Sequence, residues 1–163
     1  MPQPPPSERP RILGLDVGAR RIGMAVSDPL GLTAQGLDTI HRRNKRYDYE
    51  QIAHTIRKYQ IAEIVVGYPL RLSGAPSAQS DKVSNLADDL RRRFGLPIHL
   101  VDERLTSVEA NRVLRDAELS LQKRTDSVDR LAAVLILQSF LDRRASQSPA
   151  ESPPADGVGG CRD

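Results

Sequence analysis

Three carboxylates far apart in the chain stand where the surrounding pattern is apolar. In Ile12-Leu13-Gly14-Leu15-Asp16-Val17 a single acid interrupts a near-continuous hydrophobic run, and period two puts Ile12, Gly14 and Asp16 on one face of a strand. An ionised carboxylate there is costly unless a cation or several donors compensate it. Gly14, without a side chain, is expected to leave space beside it. Asp16 could instead accept hydrogen bonds from the turn at Gly18, a common fate for an aspartate at a strand end. The run Ile98-His99-Leu100-Val101 passes directly into Asp102-Glu103-Arg104. Alternation makes Asp102 and Glu103 face opposite sides, so one of them can share a site with Asp16; the other fits an exposed turn paired with Arg104. Asp129 precedes Ala132, Ala133, Ile136 and Phe140 at helical spacing, which turns it inward with them. An acid in a first helical turn is also favoured by the helix dipole alone, with Asp126 or Ser127 as cap.

Three convergent carboxylates would suit a hard, oxygen-seeking cation such as Mg2+ or Mn2+. Two such ions about 4 Å apart activate a water and stabilise the departing oxygen in an in-line displacement at phosphorus. His41, His54 and His99 have no zinc-like spacing, and the single cysteine, Cys161, can form neither an intramolecular disulfide nor a multi-cysteine zinc site. Two basic clusters, Arg42-Arg43 with Lys45-Arg46 on an expected loop and Arg91 to Arg93 at an expected helix end, could meet a polyanion. Solvated charge and a helix C-terminus that favours cations explain them equally well. The formal net charge of +3 raises the prior for an anionic partner only slightly.

The elements that must position these residues fit one domain in 163 residues. Residues 1–10 and 145–163, rich in Pro, Ser, Ala and Gly, are expected to be disordered tails around a domain spanning 11–144. The N-terminus lacks the order of a secretory signal, and no apolar run approaches the ~20 residues that cross a bilayer, so a cytoplasmic location is expected. Strands are predicted at Arg11–Val17, Ile22–Ser27 and Leu32–Ile40, an antiparallel meander with short turns. Then come a helix over Tyr47–Tyr59, a strand over Ile61–Val66, a helix over Lys82–Phe94 and a strand over Leu96–Val101. The capping-box pattern Thr106 to Glu109 opens a helix to about Ala117, and a last helix covers Val128–Asp142. Helix and strand in alternation imply parallel strands joined by crossovers, giving an α/β fold.

Four segments in order, Gly14-Leu15-Asp16-Val17-Gly18 with Arg21-Ile22-Gly23, Gly67-Tyr68-Pro69-Leu70 with Gly74, Asp102-Glu103-Arg104-Leu105-Thr106, and Asp129-Arg130-Leu131-Ala132-Ala133 with Ile136-Leu137-Gln138, resemble the YqgF, or RuvX, family of ribonuclease-H-like proteins. That family comprises pre-16S rRNA nucleases related to Holliday-junction resolvases, and the match runs from about Arg11 to Arg143. The resemblance implies a five-stranded mixed sheet flanked by helices. It marks Asp16, Glu103 and Asp129 as the catalytic, metal-binding acids, favouring Glu103 over Asp102. It also makes Arg21 and Arg104 phosphate contacts, where a guanidinium holds two oxygens at once. One departure stands out: the wider superfamily carries an acid at the end of its fourth strand, where this chain reads Val66-Gly67-Tyr68-Pro69.

The implied activity is metal-dependent hydrolysis of phosphodiester bonds, narrowed by the resemblance to the 5′ end of pre-16S rRNA in ribosome biogenesis. The alternatives are a Holliday-junction resolvase, which needs two active sites and so a dimer, and a non-catalytic RNA- or ribosome-binding module. A sugar-kinase-like lobe shares the glycine pattern but needs a second lobe that 163 residues cannot supply. With no Trp and 4% aromatic residues, Tyr68 is the one expected base-stacking platform. Leu70–Ser80 reads as a loop over the site or as a plain surface connection.

Overall fold

The computed structural model describes residues 9–69, 78–102 and 121–146, and in the last segment side chains from residue 130 onward. The β-rich first third forms β1 (Arg11–Val17), β2 (Arg21–Ser27) and β3 (Ala34–His41). Both neighbouring pairs are antiparallel, with Leu15 opposite Met24 and Ala25 opposite Gly36. After α1 (Lys45–Tyr59) the chain enters β4 (Ile61–Tyr68), which runs parallel to β1. Then α2 (Ala78–Phe94) leads to β5 (Ile98–Asp102), parallel to β4. The sheet order is β3-β2-β1-β4-β5, and the last described element is α3 (Leu121–Ser146). This is the expected mixed five-stranded sheet. The helix expected at Thr106–Ala117 and both expected tails beyond 9–146 lie outside the described residues.

Alternation along β1 divides the interior in two. Leu13, Leu15 and Val17 join a core with Tyr49 and Ile52 of α1 and Val83, Leu86 and Leu90 of α2. Ile12 joins Ala25, Val65 and Val101 under Ala133, Ile136, Leu137 and Leu141 of α3. Helices therefore cover both faces of the central strands, which explains why β1 and β4 read as apolar without alternation. The space expected beside Gly14 is occupied: a Cβ there would come within 2.8 Å of Leu137 Cβ and 3.3 Å of the Ala133 carbonyl. Glycine lets α3 lie directly on the sheet.

Polar residues fix the helix ends. Asn44 Oδ1 accepts from the Tyr47 N–H at 2.9 Å, capping α1, whose first residue Lys45 lies two before the predicted start. Lys45 and Arg46, expected in a loop, lie in the first turn of α1. Gln60, at φ 54°, closes α1 in the left-handed conformation, and Gly95, at φ 65°, follows α2 with its N–H on the Arg91 carbonyl. The α2 helix begins at Ala78, so the expected loop to Ser80 ends earlier than predicted. At the other end of the sheet Arg144 of α3 bonds Glu63 at 2.8 and 3.3 Å. Burial alone would raise the Glu63 pKa, but these hydrogen bonds, the Arg144 charge and His99 outweigh it and hold the carboxyl below its usual value.

Candidate active site

Asp16 is half-buried near the C-terminal end of β1, opposite Gly23 of β2. It shares its face with Ile12 and Gly14, the face covered by α3, as period two requires. The direction of α3 follows from two contacts. Arg144, near its C-terminus, meets Glu63, which is in register with Ile12 at the start of β1; Ala133 and Leu137 lie over Gly14. Going back along α3 therefore means going forward along β1. From Ala133 to residue 129 is one helical turn, about 6 Å of rise, and from Gly14 to Asp16 is about 6.6 Å of strand. Arg130, however, meets Gly36 and Asp38 of β3, so over this turn α3 also crosses from β1 toward β3. Its backbone carries residue 129 toward the end of the sheet where Asp16 stands and at the same time toward the β3 side. The Asp129 side chain lies outside the described ones.

The β5 strand ends at Asp102, opposite Tyr68 of β4. Val101 packs in the core under α3, so Asp102 takes the other face. Asp102 is thereby separated from Asp16 by the sheet. Glu103 and Arg104 lie outside the described residues. Tyr68 packs against the core under α1 and α2. It does not share the Asp16 face, which corrects the expectation of a stacking platform beside that acid. The strand β4 ends without a carboxylate, in agreement with the departure read from the sequence.

The hairpin between β1 and β2 wraps the same sheet end. The Gly18 N–H bonds the Arg21 carbonyl at 2.8 Å, and a Cβ on Gly18 would press to 3.0 Å on that oxygen. Arg21, half-buried, lines a cleft of ≈ 740 Å³ between this hairpin, the start of α1 and α2. Arg42 anchors the hairpin: its Nη1 bonds the Gly18 carbonyl at 2.8 Å while its Nε bonds Asp48 Oδ2 at 2.9 Å. Asp48 is 2% exposed and also accepts from the Arg43 N–H. Sequence reasoning saw Arg42 only as one of a basic cluster and did not single out Asp48. The pattern Asn44 to Asp48, a cap followed by an acid in the first turn, was the available signal. Gln138, present in the fourth motif without a role, clamps α3 to the start of β3 through the Ala34 N–H at 3.0 Å and the Leu32 carbonyl at 2.9 Å.

Comparison with known proteins places this arrangement. The family model described as RuvX, Holliday junction resolvase, matches residues 10–143. The chain belongs to the RuvX family. A relative from Koribacter versatilis, named "Putative pre-16S rRNA nuclease", is 60% identical over 134 residues, covering 82% of this chain and 88% of its own. A relative of the same name from Moorella thermoacetica is 49% identical over 133 residues, covering 82% and 95%. Among solved structures, T. thermophilus RuvC in complex with a Holliday junction substrate superposes with a TM-score of 0.52 at 11% identity, covering 85% of this RuvX-family chain and 98% of that one. At that identity the likeness establishes the fold alone, a ribonuclease-H-like one. Among the described residues no helix is long and apolar enough to cross a membrane.

The fit of a divalent cation rests on donor chemistry. Asp16 offers oxygen ligands of the kind Mg2+ and Mn2+ prefer. Among the described residues no group of three His, Cys, Asp or Glu could hold a metal, and the two other expected ligands fall outside the described side chains.

Proposed function

We propose that this protein is a metal-dependent nuclease acting on the 5′ end of pre-16S rRNA in the cytoplasm, with Asp16, Glu103 and Asp129 as its catalytic acids. The observation that carries the proposal is the position of Asp16: a half-buried carboxylate on the face covered by α3, at the sheet end toward which residue 129 extends. The names of relatives up to 60% identical support the substrate. Asp16, Glu103 and Asp129 would hold magnesium or manganese, which would lower the pKa of a water and offset charge at phosphorus. The chain's own residues do the rest. Asp16 sits on a central strand fixed on both sides by neighbours, so its carboxylate costs little to preorganise. Arg21 holds a phosphate oxygen pair from the hairpin, and Arg104 does the same from beyond β5.

The test is cleavage of precursor rRNA with and without magnesium. Asp16→Asn is expected to abolish metal-dependent cleavage while keeping the wild-type circular dichroism spectrum and the wild-type Tm measured without magnesium. Cleavage that survives in purified Asp16→Asn protein excludes this mechanism. RNA binding without any cleavage, and without magnesium binding by calorimetry, leaves the non-catalytic reading. The description of the family as a Holliday junction resolvase favours a second reading, in which two copies act on a four-way DNA junction. A protein that sediments as a monomer and ignores such junctions eliminates it.

A further inference from the structure

The cleft beside the hairpin opens on the face of the sheet opposite Asp16. Six of its lining side chains are cationic, Arg20, Arg21, Arg42, Arg43, Lys45 and Lys82, against two carboxylates, Asp48 and Asp89. Both acids are already engaged. Asp48 binds Arg42 at 2.9 Å, and Asp89 accepts from Tyr49 Oη at 2.8 Å and from Arg92. Of the cations, Arg42 is fixed and Arg43 stacks over the Tyr47 ring at 4.3 Å. Lys45 reaches Asp89 only at 3.9 Å, with its side chain 79% exposed. Arg20 on the hairpin and Lys82 on α2 are exposed and face the same space from different elements.

The cations crowd one helix end, where Asp48 and the Arg46–Glu50 pair at 3.5 Å offset part of their charge. Lys45 and Arg46 occupy the first turn of α1, where the helix dipole disfavours positive charge, with Arg42 and Arg43 just before it. A polyanion in the cleft would relieve that repulsion. Among the described residues no aromatic face is open there for base stacking: Tyr49 is 3% exposed and Tyr47 lies under Arg43. Such a cleft would hold backbone phosphates without reading bases. Val17, which lines it, is the residue after Asp16, so a strand could cross the Gly18–Arg21 hairpin from one face to the other.

We propose that this cleft holds the phosphodiester backbone of the nucleic-acid substrate on the far side of the hairpin from Asp16, with Arg20 and Lys82 as phosphate contacts. The proposal deepens the nuclease reading and rests on it for the identity of the ligand. The test measures binding of fluorescently labelled oligouridine in EDTA, where cleavage does not intervene, across a salt series. For Arg20→Gln/Lys82→Gln the slope of log Kobs against log salt is expected to flatten by about 1.4, roughly 0.7 for each lost contact on a single strand. The control Arg57→Gln/Lys58→Gln removes equal charge near the other end of α1, about 20 Å away from Lys45 along the helix, and is expected to leave the slope unchanged.

Equal flattening in both variants would reduce the effect to net charge and overturn the proposal, as would an unchanged slope in the first variant or no binding by the wild type. Both variants should keep the wild-type Tm, and a lower Tm in the cleft variant is met by Arg20→Lys/Lys82→Arg, which must restore the slope. Cleft-dependent binding by a wild type that never cleaves RNA would retain this site and discard the nuclease.

Discussion

At the scale of single residues, the most consequential contact joins Arg42 to Asp48. The carboxylate is 2% exposed, and its partner also holds the Gly18 carbonyl of the hairpin next to Asp16. Truncating Arg42 leaves a buried charge with one backbone N–H, from Arg43, as its remaining described acceptor contact. Breaking a fully buried pair costs about 3–5 kcal/mol, and the Arg42 side chain is 26% exposed, so Arg42→Ala is expected to destabilise the fold by about 2 kcal/mol. Urea denaturation checks this as a lower midpoint at unchanged m-value. An unchanged midpoint would mean that water replaces the guanidinium without loss.

At the scale of elements, α3 decides the geometry of the site because it lies against the strand that carries Asp16. Two glycines under it make contrasting predictions. A Cβ at Gly14 would meet Leu137 Cβ at 2.8 Å and the Ala133 carbonyl at 3.3 Å, atoms that cannot swing aside. The whole helix must lift, so Gly14→Ala is expected to cost about 1–3 kcal/mol and to lower cleavage by displacing residue 129 relative to Asp16. A Cβ at Gly36 would come closer still, 2.6 Å from Arg130 Cγ, but a side chain can change rotamer at a cost of about 1 kcal/mol. Thermal unfolding of the two variants should therefore rank against the order of the distances, with Gly14→Ala the less stable; the reverse ranking would show that α3 adjusts freely.

The packing of these elements was legible where the apolar pattern speaks. Period two assigned Ile12, Gly14 and Asp16 to one face of β1, and the helical spacing of Ala132, Ala133, Ile136 and Phe140 gave the buried side of α3 in part: Ala133 and Ile136 are buried, Ala132 and Phe140 only half-buried, and the buried Leu137 was not in that set. It was illegible where polar residues do the positioning. The first turn of α1 is Lys45-Arg46 with Asn44 as cap, and no apolar spacing announces it. The extension of α3 back to Leu121 runs through Gln122, Lys123, Arg124 and Thr125 for the same reason. Tyr68 misled because a tyrosine at a strand end reads as exposed, whereas the alternation of Ile64, Val66 and Tyr68 takes its ring into the other core. Alternation alone also left open which of Asp102 and Glu103 faces Asp16, since both faces of the sheet are covered.

For the molecule as a whole, the proposed metal site and the fold should be thermodynamically linked. Asp16 lies on a strand paired on one side with β2 and on the other with β4, while residue 129 belongs to the helix packed across them. A divalent ion held by acids from both would bind the native state alone, because unfolding separates its ligands. Ligand in tenfold excess over its Kd then adds about 1.4 kcal/mol to stability. Magnesium is expected to raise the Tm of the wild type, and the increment is expected to vanish in Asp16→Asn, with sodium chloride at matched ionic strength compared to separate a specific site from ionic strength. Equal increments in wild type and variant would place the ion elsewhere on the surface. No increment in either would leave a ribonuclease-H-like fold whose acids do not share a cation, and the hydrolytic mechanism would have to be abandoned together with the site.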